Sequence, residues 1–131
     1  MQLSVLNPEE KGQLASMIIE LLDQWAVETE DQILVLSLPE KTPLRAIRKY
    51  RKCTPFPEGD QIMERVEHII GIAEALRTTY PRNSQMGSQW MNKPHKRFAG
   101  KTPVQLMVEG GLKGVIQVRS QLDCAFAWEN S

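Results

Sequence analysis

Two runs of cationic side chains hold the clearest chemistry in the sequence. Lys41, Arg45, Arg48, Lys49, Arg51 and Lys52 follow one another with no acid between them, and so do Lys93, Lys96, Arg97 and Lys101. Local patches of this kind bind phosphate backbones or acidic protein surfaces. Other reactive types are sparse. His68 and His95 have no serine or cysteine partner at a recognisable spacing, so no nucleophile and base can be assembled. Gly100-Lys101-Thr102 imitates the end of a phosphate-binding loop, but His95 stands where that loop needs glycine. Glu64 and Glu67 read as the solvated face of a helix rather than an acid/base pair. The expectation is a binding protein and not an enzyme, with no cofactor and no metal.

Composition narrows the class further. A chain of 131 residues, with 41% hydrophobic and 24% charged side chains, can bury one compact core. Its formal net charge is zero, so nucleic-acid contact must come from a local patch. The longest apolar stretches, such as Ile33 to Leu38, are too short to cross a bilayer, and the start lacks a basic segment followed by an apolar run. These features suggest a cytoplasmic protein, with Cys53 and Cys124 far apart and both reduced.

The elements that must carry the cations are all helical by pattern. Asn7-Pro8-Glu9-Glu10 is a strong helix start, and the spacing of Leu14, Met17, Ile18, Leu21, Leu22 and Trp25 predicts a helix from Pro8 to about Val27 with that stripe inward. Thr29, followed by Glu30 and Asp31, reads as the cap of a short helix ending before Pro39. A strand over Ile33 to Leu38 is the other reading. Thr42 as cap and Pro43 as first residue predict a third helix to about Lys52, with Leu44, Ile47 and Tyr50 packed and Arg45, Arg48, Lys49 and Lys52 on the opposite face. A long helix from Gly59 to about Thr79 presents Ile62, Val66, Ile69, Ile70, Ala73 and Leu76 to a core and stops at Pro81. Arg82-Asn83-Ser84 suggests a hinge into a short helix containing Met86, Trp90 and Met91. Thr102-Pro103 starts another helix that ends at Gly110-Gly111, and a last one is expected from Leu112 to about Ala125.

Short helix, tight turn and basic second helix, from Thr29 to Lys52, follow the plan of a helix-turn-helix unit. Lys41, Thr42, Arg45, Arg48, Lys49 and Lys52 are its candidate DNA-contacting residues, with a solvated basic face, or one meeting an acidic protein, as the alternative. The stretch from Trp90 through Asn92-Lys93-Pro94 and the glycine-containing loop to Thr102-Pro103-Val104-Gln105-Leu106-Met107 resembles the signature of the MbcA/ParS/Xre antitoxin family. In physical terms Trp90 is a core anchor, Asn92 and Pro94 a fixed turn, Gly100 a position needing unusual backbone angles, and Thr102 a cap. Ala99 stands where many members carry a second glycine.

The resemblance implies an all-α fold, with an Xre-like helix-turn-helix bundle over residues 1–81 and a small helical toxin-binding module over 82–131. It also implies a RES-domain, NAD-consuming toxin as partner, neutralised by direct binding, and operator DNA bound for autoregulation. Lys93, Lys96, Arg97 and Lys101, together with Phe126 and Trp128 near the end, are the expected toxin-binding residues. A homodimer, or a larger hetero-oligomer with toxin, follows from the two-fold habit of helix-turn-helix readers. The alternative is a stand-alone helix-turn-helix regulator without a toxin.

Overall fold

A computed structural model describes the chain over residues 5–129, with side chains described as far as Cys124. Among the described residues the fold is all-helical: α1 (Pro8–Gln24), α2 (Thr29–Val35), α3 (Leu44–Arg51), α4 (Asp60–Thr79), α5 (Ser84–Met91), a 3-10 turn (Lys96–Phe98), α6 (Pro103–Glu109) and α7 (Gly111–Glu129). Ile33–Val35 is the last turn of α2 and Leu36–Leu38 the turn that leaves it, so the strand reading fails. No helix among the described residues is long and apolar enough to cross a membrane.

Local chemistry explains the starts. Asn7 accepts from the Glu10 amide at 2.8 Å while the Glu10 side chain accepts from the Asn7 amide at 3.1 Å, a reciprocal cap that satisfies two otherwise orphaned donors. Thr102 and Gln105 repeat it at the head of α6. Two expected caps are absent. Glu28, not Thr29, flanks α2, and Pro43, not Thr42, flanks α3; neither supplies a side-chain bond.

The first three helices stop earlier than the hydrophobic pattern suggests, and for one shared reason. Ala26, Ser37 and Cys53 each take positive φ, at 60°, 57° and 73°. In each case the next amide reaches back five residues, Val27 to Leu22, Leu38 to Ile33 and Thr54 to Lys49, at 3.0 Å. These are Schellman ends built without glycine. Val27 and Leu38 then fold back into the core.

One buried cluster runs through the molecule. Ile18, Ile19 and Leu22 of α1, Val35 of α2, Ile47 of α3, Val66, Ile69 and Ile72 of α4, Met91 of α5, Met107 of α6 and Val115 and Val118 of α7 are all at most 1% exposed. α4 is the shared beam, packed on α7, α1 and α5. Two stripe residues expected inside lie outside: Met17 is 39% exposed and Leu44 is 49% exposed. Leu44 is the first residue of α3 and overhangs the core edge. Met17 faces a groove between α1 and α4. Trp90, expected as a core anchor, is only half-buried, its place at the centre taken by Met91.

Cross-links set how α3 is held. Asp23 accepts from Arg51 Nε at 3.0 Å and from the buried Gln32 Nε2 at 2.8 Å, joining α1, α2 and α3. Ser16 Oγ donates to the Arg51 carbonyl at 2.9 Å. Gly12 has no room for a β-carbon because the Cys53 carbonyl lies against it. Arg65 on α4 donates to the Val35 carbonyl at 3.0 Å, placing a cation at the C-terminal end of α2 where the helix dipole favours one. Burial of that guanidinium lowers its pKa, against the opposing pull of Glu64.

Candidate functional site: two basic surfaces

The first surface is the outer face of α3. Arg45, Arg48, Lys49 and Lys52 are exposed, with Lys41 exposed and Thr42 half-buried just ahead of them. Among the described residues none of the five cations forms an ion pair. Arg51, which belongs to the same run, is instead consumed by Asp23 in fastening α3 to α1. The opposite face packs: Ile47 is buried and Tyr50 rests edge-on against Phe56, ring centroids 4.9 Å apart. Burial raises the Tyr50 pKa above its ordinary value. The helix is therefore rigidly held, and its spare cations point away from the body.

The second surface is the loop between α5 and α6. Asn92 starts it: its Nδ2 donates to the Trp25 carbonyl at 2.8 Å and to the Ser88 carbonyl at 3.0 Å. Trp25 lies at the end of α1, so the loop is tied to an element far away in sequence. The loop then closes on itself. His95 N donates to Lys101 O at 3.2 Å, and the Phe98 and Gly100 amides both donate to His95 O at 3.0 Å. Ala99 and Gly100 both take left-handed angles, φ 55° and 81°. Gly100 thus has the unusual backbone expected of it. Ala99 adopts the same conformation with a β-carbon, which costs about 1 kcal/mol relative to glycine.

Three rings brace the loop from inside. His95 and Trp90 are 4.9 Å apart between centroids, and Phe98, buried, meets His95 edge-on at 5.8 Å. His95 Nε2 sits 3.1 Å from the Trp90 carbonyl, which can only accept, so Nε2 carries the proton. Sequence reasoning missed this part of His95, since its partner is a main-chain oxygen. Trp90, His95, Lys96, Arg97, Phe98 and Gln121 of α7 line a shallow cup of about 300 Å³.

The four expected cations of this loop do not share one environment. Lys93, Lys96 and Arg97 are exposed and, among the described residues, without ion pairs. Lys101 reaches Glu109 Oε2 at 2.7 Å, both side chains about half exposed, and so pins the loop to α6. The side chains of Phe126 and Trp128 lie outside the described residues; the α7 backbone runs through both. α6 and α7 themselves are pressed together where Gly114 leaves no room for a β-carbon against the Leu106 carbonyl. His68 is half-buried between α4 and α7, its Nδ1 3.1 Å from Arg119 Nη1.

Residues 75–123, from the last turn of α4 through most of α7, match the family described as the antitoxin Xre/MbcA/ParS C-terminal toxin-binding domain. The resemblance carried by Trp90 to Met107 is borne out over that span, and the match supports an antitoxin role. A protein of Sinorhizobium fredii (strain NBRC 101917 / NGR234), described as uncharacterized protein y4oB, is 27% identical over 103 residues, covering 79% of this chain and 76% of the relative.

Proposed function

We propose that this chain, with a toxin-binding domain of the Xre/MbcA/ParS kind over residues 75–123, is the antitoxin of a type II toxin–antitoxin pair and neutralises a RES-domain, NAD-consuming toxin by direct contact. The observation that carries the reading is the coincidence of that match with a pre-formed, cation-bearing loop. The hydrogen bonds within residues 92–105 fix the backbone before any partner arrives, so little conformational entropy remains to be lost on docking. Lys93, Lys96 and Arg97 supply free charge for acidic groups on the toxin, with Lys101 as a brace and Phe126 and Trp128 of the last helix as apolar anchors. Residues 82–131 form the toxin-binding module and 1–81 an Xre-like helix-turn-helix region. The protein acts by occupying a surface and performs no chemistry of its own.

DNA binding is the second part of the reading, and the unpaired cations of α3 favour it. Arg45, Arg48, Lys49 and Lys52, with Lys41 and Thr42 at the helix start, meet operator phosphates and groove edges, allowing autoregulation in the cytoplasm. A tagged pull-down from the native host, nuclease-treated and washed at high salt, tests the whole. A near-stoichiometric RES-domain protein that survives the wash is the expected result. Recovery of the chain alone would overturn the antitoxin reading and leave a stand-alone regulator.

A further inference from the structure

We propose that Leu44, at the head of α3, reads a thymine methyl group in the DNA that this helix contacts, and so supplies a sequence preference that phosphate contacts cannot. Leu44 acts in this way only if α3 binds DNA as proposed above, and it is then the residue that chooses among sequences. The cations of α3 account for attraction. Lys41, Arg45, Arg48, Lys49 and Lys52 are exposed, and whatever they give to phosphates is the same for every duplex. Leu44 is of another kind. Besides its cations α3 carries three bulky side chains, of which Ile47 is 1% exposed, Tyr50 8% and Leu44 49%. Ile47 and Tyr50 complete the inner face and leave Leu44 outside.

Position decides what this side chain meets. At about 100° per residue Leu44 stands roughly 40° around the helix from Arg48 and roughly 60° from Ile47, on the border between the basic face and the packed one. Helical side chains lean back towards the N-terminus. Pro43, immediately before, is exposed as well, so the two form an apolar tip at the head of a basic helix. In a helix-turn-helix unit the first residues of the second helix are the ones that reach base edges in the major groove. Every other group displayed there donates or accepts a hydrogen bond; the apolar one is the C5 methyl of thymine. A leucine therefore finds its complement in that methyl and nowhere else on the groove floor. The tip is also held in one orientation, because Ile47 and Tyr50 seat α3 and Arg51 pairs with Asp23 at its far end. Removing Leu44 leaves all three of those contacts in place, which separates its role in recognition from the stability of the helix.

Selection of duplexes from a random pool by the full chain, followed by replacement of each thymine in turn with deoxyuridine, tests it, since that exchange removes the methyl and nothing else. The wild-type chain should lose about fourfold in affinity at one thymine of the selected site, the worth of one buried methyl. Leu44→Ala should bind the thymine duplex at least about fourfold more weakly and show no further loss on the deoxyuridine duplex. Its salt slope and helical circular dichroism should match the wild type, because no phosphate contact is lost. If Leu44 only steadied the helix, the methyl effect would survive its removal. A methyl effect that persists in Leu44→Ala, or none at any thymine, overturns the proposal and leaves DNA binding standing. So does a chain that retains DNA but enriches no sequence. A chain that retains no DNA at low salt overturns the DNA-binding reading together with the proposal.

Discussion

The two basic segments have similar composition and opposite construction. On α3 the cations ride a regular helix that is packed along its inner face by Ile47 and Tyr50 and tied at its far end through Arg51 and the Cys53 carbonyl. In the 93–101 loop the cations hang from a backbone closed by its own hydrogen bonds, braced by three rings and anchored by Asn92 to α1. The first arrangement presents charge at helical intervals, which suits a periodic polyanion. The second fixes a shape, which suits one particular partner. Charge count alone distinguishes neither; the hydrogen bonds beneath the charges do.

Substitutions can break or sharpen that contrast. The largest effect is expected at Gly114, where any β-carbon meets the Leu106 carbonyl. Gly114→Val should cost ~3 kcal/mol or more in chemical denaturation because α6 and α7 must separate; a loss under about 1 kcal/mol would show that the loop's support is looser than described. Next is Asn92→Ala, which strands the Trp25 carbonyl and should cost ~1–3 kcal/mol while leaving the α3 end of the molecule unaltered in amide exchange. Ala99→Gly should act in the other direction, raising stability by ~1 kcal/mol by relieving its left-handed backbone, and a thermal melt a few degrees higher would record it. Smallest of all, Arg48→Ala on the unpaired face of α3 should move stability by less than ~0.5 kcal/mol. Any loss of DNA affinity in that variant, measured in a salt titration, then reports contact rather than unfolding.

What the sequence made legible was local. Asn7-Pro8-Glu9-Glu10 and Thr102-Pro103 announce helix starts because cap and first turn are neighbours in the chain, and each structure-observed cap there falls where the residues place it. The loop motif was readable for the same reason: Gly100 takes the backbone angle its type permits. The endings of α1, α2 and α3 were harder, because Ala26, Ser37 and Cys53 do the work usually signalled by glycine. Thr29 and Thr42 looked like caps and are not, since the preceding residue in one case and the following proline in the other take that position. Partnerships across the fold left no trace in spacing: Asn92 with Trp25, Arg119 with His68 and Arg65 with Val35 depend on how the helices lie together. The exposure of Met17 and Leu44 is of the same kind, because periodicity names a face but not what covers it.

The bond from Asn92 to the Trp25 carbonyl also has a consequence in time. The partners are 67 residues apart in the chain. At translation rates of about 5–20 residues per second, the end of α1 waits roughly 3–13 s for the residue that completes it. During synthesis the Trp25 carbonyl lacks that donor until Asn92 emerges. The end of α1 is thus completed only after Asn92 has been made. Limited proteolysis of stalled nascent chains of increasing length should show protection near Trp25 arising only once the segment beyond Asn92 has cleared the ribosome.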